Sequence, residues 1–176
     1  MNDQLRLRRC APGDEAALAL VGQATFLETF AGILGGGDIV RHCAHAHAAA
    51  TYRAWLDDAA CALWLLEAAP GEAPVGYAVL APAQLPLPDA DARDLELKRI
   101  YLLGRYHGGG WGRRLLQATA DEARARGARR LLLGVYDGNA AAIGFYERIG
   151  FRALGTRRFN VGGRDYDDRI LGLALD

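Results

Sequence analysis

His107-Gly108-Gly109-Gly110-Trp111-Gly112 stands between a strand-like run, Glu96 to Leu103, and a helix-like run, Arg113 to Arg126. Glycine permits tight turns and close backbone approach to a ligand, while a helix start offers unpaired N–H groups and the positive end of a dipole. Strand, glycine loop and helix together predict an anion cradle for a phosphate or pyrophosphate. An NTPase phosphate loop requires a lysine followed by a hydroxyl residue after the second glycine. That reading fails because Lys98, the only lysine in the chain, precedes the loop. A dinucleotide fingerprint requires Gly-x-Gly-x-x-Gly and an acidic residue about 20 positions later. It fails as well, since the third glycine position falls on Arg113. A plain turn remains an alternative for a glycine triplet taken alone.

Working outward, the two faces of the preceding strand are Leu95-Leu97-Arg99-Tyr101 and Glu96-Lys98-Ile100-Leu102. The following helix places Leu115, Leu116 and Ala123 inward and ends at Gly127. Leu131 to Tyr136 is nearly continuous in apolar character, the pattern of a strand beside a parallel neighbour and covered on both faces. A right-handed crossover through the helix joins the two strands. Upstream, Leu5 to Arg8 alternates as a strand, and Asp14 is the expected cap of a helix over Glu15 to Phe30. Asp38 is the expected cap of a second helical stretch to about Ala50, continued by Thr51 to Leu56. Cys61 to Glu67 and Val75 to Ala81 form a hairpin around Pro70 to Pro74. Pro82 to Arg93, with three prolines, is a loop and the expected mobile element. A short helix over Ala140 to Ile149 precedes a last hairpin turning at Gly162-Gly163.

Composition fits one domain. The chain has 176 residues, 51% of them hydrophobic and 24% charged, and a domain of this size buries about 70% of its unfolded surface. With 21 basic and 21 acidic residues the formal net charge is zero, so no global field draws it to nucleic acid or an anionic membrane. Met1 to Pro12 lacks the apolar core of a signal peptide, and no apolar run approaches a membrane span. A cytoplasmic location is expected. Cys10, Cys43 and Cys61 suit reduced thiols better than a disulfide framework.

Downstream of the loop the chain reads Asn139-Ala-Ala-Ala-Ile-Gly-Phe145-Tyr146-Glu-Arg-Ile-Gly150-Phe151. With both stretches in this order, the sequence resembles the GNAT N-acetyltransferase superfamily, whose acetyl-CoA loop has the form Gln/Arg-x-x-Gly-x-Gly/Ala. His107 departs from the first position, which mainly lends backbone. The resemblance implies an α/β fold: a mixed, mostly antiparallel central sheet of about seven strands flanked by about four helices. It also implies acetyl-CoA as co-substrate and transfer to a primary amine in a ternary complex. The N–H groups of Gly108, Gly109, Gly110, Trp111 and Gly112 would hold the pyrophosphate, with Arg113 or Arg114 adding charge. Trp111 itself is expected to pack beneath the loop. The backbone of Ile100, Tyr101 and Leu102 would pair with pantetheine, and the N–H near Ile100 would polarise the thioester carbonyl. Asn139 would sit beside the cofactor, or serve only as an N-cap.

The same resemblance makes Tyr146 the general acid, since a phenol stays protonated to about pH 10 and a thiol only to about 8.5. Its alternative is a buried aromatic on an amphipathic helix. The acceptor ammonium must lose a proton, and Glu96, directly or through water, is the candidate base. Its alternative is an exposed strand residue paired with Lys98 or Arg99. His42, Cys43, His45 and His47 have metal-like spacing on one helix. Zinc sites draw ligands from separated segments, so a solvated or acceptor-facing helix is expected and no metal is assigned.

The acceptor pocket is expected near Phe26 to Phe30, Asp38 to His45 and Tyr166 to Asp168, where Glu28, Asp38, Asp167 and Asp168 could attract a cation. Residues 24–31 and 97–102 look similar to bacterial members of the spermidine/spermine acetyltransferase-like branch, which implies a polyamine or other small amine. A protein N-acetyltransferase and a catalytically silent acyl-CoA-binding module are the alternatives. Exposed edge strands are compatible with a homodimer.

Overall fold

A computed structural model describes residues 5–175. The alternating N-terminal run forms β1 (Leu5–Arg9), followed by α1 (Glu15–Phe30). Asp14 occupies the cap position of α1 but does not cap it. Its carboxylate is taken by the Arg8 fork, 2.8 Å to each oxygen, and by the Ala11 N–H. A bidentate guanidinium outcompetes a lone helix N–H. Asp38 is diverted in the same way. The second helix, α2 (Gly36–Ala46), starts two residues before it with Gly35 at its cap, and Asp38 bonds Arg41 at 2.6 Å. The chain breaks at His47 and resumes as α3 (Ala49–Asp57).

The strands that follow are β2 (Ala62–Ala68), β3 (Ala73–Pro82) and β4 (Asp94–Leu102). Helix α4 (Trp111–Ala125), β5 (Arg130–Tyr136), α5 (Ala140–Ile149), β6 (Arg152–Val161) and β7 (Arg164–Ala174) complete the chain. The seven strands form one sheet in the order β1-β2-β3-β4-β5-β7-β6. Only β4 and β5 are parallel neighbours. This is the mixed, mostly antiparallel α/β fold expected above. Helices cover both faces. Leu115, Leu116, Ala120 and Ala123 of α4 pack with Ile143 of α5 against Leu97, Leu131 and Leu133. On the other face, Leu18 and Val21 of α1 and Tyr52 of α3 pack against Leu63, Leu65, Tyr77 and Val79.

Two local features bring the C-terminal hairpin and the proline-rich segment onto this frame. The hairpin turns at Gly162 and Gly163, with φ of 60° and 101°, the doubly positive pair that L side chains resist. A Cβ at Gly162 would also overlap the Asp38 backbone, so the turn seats directly on α2. The segment expected to be mobile is packed: Leu85 and Leu87 are buried against Leu132 and Ile170. The Ala83 N–H bonds Asp94 O at 3.2 Å, and the Gln84 N–H bonds Glu96. Alternating Leu and Pro gives this segment an apolar face that composition alone conceals.

Candidate active site

The site begins where β4 and β5 part. They pair only through Asp94, Leu95 and Glu96 against Arg130, Leu131 and Leu132. Beyond that point β4 continues for six residues beside β3 alone. Its register against β3 shifts between Val79 and Leu80, which leaves Lys98 unopposed between Leu97 and Arg99. An extra residue of this kind bends a strand and increases its twist, which carries the end of β4 away from β5. The Leu103 N–H bonds Val75 O on β3 at 2.9 Å. Donors alternate sides along a strand, so the N–H groups of Ile100 and Leu102 face the gap.

At the mouth of this gap lies the glycine loop. Gly108 and Gly110 have φ of 83° and 77°, and a Cβ at either position would meet no neighbouring atom. Conformation therefore, and not crowding, calls for glycine here. The His107 N–H bonds Gly104 O, and the Arg114 N–H bonds Gly110 O. Among the described residues, the six N–H groups from Gly108 to Arg113 between them have no acceptor. Six consecutive donors at the positive end of a 15-residue helix form a strong anion site. His107 contributes more than backbone: its Nε2 lies 2.8 Å from Leu102 O. A carbonyl can only accept, so Nε2 carries the proton and the ring ties the loop to the end of β4.

A cavity of about 1070 Å³ runs from the loop through the gap to the helices on the far side. Gly108, Gly110, Gly112, Arg113 and Asn139 line it, together with Ile100, Tyr101, Leu102, Glu96 and Tyr146. Of the residues expected at the cofactor, Gly109, Arg114 and the Trp111 side chain are not on the wall, and Arg114 instead lies over the Trp111 ring. Trp111 is buried against Leu66 and Val75, where it anchors the helix start to the sheet. Asn139 caps α5, accepting from the Ala142 N–H at 3.1 Å, and also faces the cavity. The cap reading holds, and its place on the cavity wall is compatible with the other.

Tyr146 is 8% exposed. Burial, reinforced by Tyr101, pushes its hydroxyl well above the ordinary tyrosine range. It is therefore a neutral donor at any working pH. Glu96 is not the exposed strand residue of the alternative reading: it is 3% exposed and on the cavity wall. It accepts from the Gln84 N–H at 3.1 Å, with Lys98 Nζ at 3.6 Å and Arg157 at 4.0 Å. Arg157 is shared with Asp168, at 3.2 Å. Burial raises the Asp168 carboxyl against the pull of that arginine. Arg157 lies over Phe159, and its guanidinium occupies the space a side chain at Gly134 would fill. Sequence reasoning missed Arg157. The strand pairing Arg157↔Asp168 is the signal that could have found it.

Of the acids expected to draw a cationic acceptor, Asp167 is exposed and does not line the cavity, and the other three are engaged elsewhere. Glu28 accepts from the Gly104 N–H at 2.8 Å, Asp38 from Arg41 and the Tyr166 hydroxyl, and Asp168 from Arg157. Among the described residues, no group of three or more His, Cys, Asp or Glu side chains is placed to hold a metal. The cysteines are free. His42 and His47 turn inward: His42 stacks on Phe26 at 4.6 Å, and His47 Nδ1 sits 2.9 Å from the Tyr52 hydroxyl.

Burial first, then the nearby Arg99 charge, holds His42 down to about 4, and the same causes with His42 hold His47 down to about 2. Below about 6.5 the unfolded chain takes up these protons and the folded chain does not, so stability falls as pH drops. At pH 5 His47 alone contributes a loss of about 2 kcal/mol. Thermal melts are expected to decline from pH 6.5 to 5, and His42→Phe, which keeps the stacking, to flatten the decline. An unchanged slope in that variant would assign the acid sensitivity elsewhere.

The acetyltransferase (GNAT) family matches residues 37–151, more than half of the sequence. The chain belongs to that family. Among GNAT relatives, an uncharacterized N-acetyltransferase of Mycobacterium tuberculosis is 38% identical over 97 residues, 55% of this chain and 58% of that protein. The L-methionine sulfoximine/L-methionine sulfone acetyltransferase of Pseudomonas aeruginosa is 38% identical over 80 residues, 44% of this chain and 46% of that protein. The chain thus matches about half the length of these curated relatives. In architecture it is similar to PaiA N-acetyltransferase from Thermoplasma acidophilum, solved with coenzyme A, with a TM-score of 0.78. That likeness covers 97% of this chain and 98% of the other at 19% identity. No helix among the described residues is long and apolar enough to cross a membrane.

Proposed function

We propose that this GNAT protein is an N-acetyltransferase that moves the acetyl group of acetyl-CoA to the primary amine of a small molecule. The observation that carries the reading is the row of six free N–H groups, Gly108 to Arg113, in a loop that lines the same cavity as the parted edge of β4 and Tyr146. A diphosphate needs several converging donors, an amide-bearing chain needs an unpaired strand edge, and a leaving thiolate needs a proton donor. Loop, strand edge and phenol all line one cavity.

The thioester supplies an activated acetyl carbon. The amine nitrogen forms a bond to it as the C–S bond breaks; nitrogen gives up one proton before attack and a second after it, of which one reaches the sulfur by way of water and the other is released to solvent. The N–H of Ile100, turned toward the gap, stabilises charge on the carbonyl oxygen during attack. Tyr146 donates a hydrogen bond to the departing sulfur, and this bond strengthens as charge develops there. Glu96 accepts the amine proton through water, because its carboxylate is held by Lys98, Arg157 and the Gln84 N–H. Arg113 adds charge at the phosphate end.

A polyamine acceptor would need unengaged carboxylates at the cavity, and Glu28, Asp38 and Asp168 are each bonded to groups of the protein itself while Asp167 does not line it. A compact amine suits the cavity better. The relative that acetylates methionine sulfoximine supports the same direction. The test is release of free CoA thiol from acetyl-CoA with polyamines, amino acids, aminoglycosides and N-terminal peptides, beside calorimetry of acetyl-CoA binding. Binding without turnover on any amine would leave an acyl-CoA-binding module, and preference for peptides a protein acetyltransferase.

Glu96→Gln is expected to lower kcat/KM by about 30-fold at pH 7. The loss should shrink as pH rises toward the alkyl-amine value of about 10.4, where the acceptor deprotonates unaided. A loss of equal size at every pH would make Glu96 a positioning residue only.

A further inference from the structure

Arg99 has no carboxylate partner among the described residues, although it is half-buried and lines the cavity. Neutral groups hold it instead. One terminal nitrogen, Nη1, donates to the Tyr52 hydroxyl at 2.8 Å and lies 3.3 Å from His47 Nδ1, while Nη2 donates to Ala46 O at 2.7 Å. Trp55 and Tyr52 present their ring faces to the guanidinium, at 4.8 and 5.3 Å. Three of five N–H bonds are thereby engaged. Nε–H and one Nη2–H have no partner among the described residues, which leaves the guanidinium donors for a carboxylate.

The mounting of this arginine is costly unless something uses its charge. Two histidines that could have shared its surroundings as cations are kept neutral beside it, and the platform depends on Gly22, where a Cβ would overlap the Tyr52 hydroxyl. A half-buried, unpaired cation is unfavourable in the free protein and gains strongly from an anion brought by a ligand. Its position fixes which ligand. Arg99 immediately precedes Ile100, whose N–H faces the gap, and consecutive side chains leave a strand on opposite faces. Arg99 therefore stands on the α1 and α3 side, one residue from the strand edge that receives the thioester.

We infer that Arg99 is the acceptor anchor and that the acceptor carries a carboxylate a few bonds from its reacting amine, as an α-amino acid does. The inference rests on the acetyltransferase reading above and narrows it. An amine without an anion would leave the guanidinium uncompensated as the cavity fills, whereas an amino acid neutralises it and aims its nitrogen along β4. Arg157 does not compete for this role, because Asp168 and Glu96 already balance it.

The test pairs each member of an α-amino acid panel, L-methionine sulfone included, with its own α-carboxamide, and adds polyamines. CoA release is followed for the native protein, Arg99→Gln and Arg99→Lys, and calorimetry measures each acceptor's binding to the CoA-saturated protein. The expected result is acetylation of acids over amides, with Arg99→Gln lowering kcat/KM for acids about 30-fold through KM and changing amides less than threefold. Binding heats should follow the same order, with partial recovery in Arg99→Lys. Equal use of acids and amides, preference for polyamines, or equal losses on both classes in Arg99→Gln would overturn the inference while leaving acetyl transfer intact. Turnover of no amine at all would overturn the acetyltransferase reading itself.

Discussion

Tyr146→Phe is expected to lower kcat about 10²-fold and to leave the Kd for acetyl-CoA unchanged within about twofold. The magnitude follows from what the phenol can do. Burial places its hydroxyl above the ordinary tyrosine range, so complete transfer of its proton to a thiolate, whose thiol titrates near 8.5, is uphill. What Tyr146 offers is a hydrogen bond that strengthens as the sulfur gains negative charge. A hydrogen bond to a charged group contributes about 1.5–3 kcal/mol, and the upper end corresponds to about 10²-fold in rate. The phenylalanine ring keeps the packing against Phe145 and Phe151, at 5.3 and 5.6 Å, so folding is not the cause of the loss. Because the anionic sulfur is absent from the ground state, the loss belongs in kcat. The raised hydroxyl also implies that the native rate shows no decline from Tyr146 ionisation up to pH 10. Single-turnover kinetics at saturating acetyl-CoA measure both, and an unchanged kcat would remove Tyr146 from the reaction.

The parts of this site that local sequence encodes were legible, and those made by distant packing were not. The change from alternating to helical periodicity at Gly108 to Gly112 defines strand, loop and helix start without any tertiary knowledge, and the free N–H groups follow from geometry. Asn139 was legible for the same reason, since a cap acts within its own helix. Glu96 was less so. Its burial depends on the proline-rich segment folding over it, and the apolar face of Leu85 and Leu87 that holds the segment down has too few residues to display a period. Asp14 and Asp38 carry the cap signal but are claimed by arginines. Arg8 lies six residues from Asp14 in sequence and Arg41 three from Asp38, within reach of a reading that asks what else might bind a carboxylate. Arg99 was the least accessible. Its mounting comes from Ala46, His47, Tyr52 and Trp55, about fifty residues upstream, and nothing local distinguishes it from a surface arginine on a strand.

Gly112→Asp separates the phosphate cradle from the stability of the fold, and it is expected to weaken acetyl-CoA binding about 10²-fold without lowering Tm. Substitution at two of the four loop glycines would confound the two. Gly108 and Gly110 have positive φ, so any side chain there strains the backbone whatever it does to the ligand. Gly112 does not. Its φ is outside that region, and a Cβ would meet only Phe145, at an ordinary 3.7 Å. It lies in the first turn of α4, where a carboxylate is favoured by the dipole by about 0.3–1 kcal/mol. The same carboxylate would accept from the N–H groups that the diphosphate needs and repel its charge. A loss of about 2.7 kcal/mol of binding, the equivalent of 10²-fold, is the scale of one or two charge-assisted hydrogen bonds. The protein should therefore melt at the same temperature or slightly higher alone, yet lose most of the stabilisation that saturating acetyl-CoA confers. Gly112→Ala serves as the control for bulk without charge and should bind within about threefold of the native protein. If the aspartate variant bound acetyl-CoA normally, the diphosphate would have to rest elsewhere, and the N–H row from Gly108 to Arg113 would lose its assigned role.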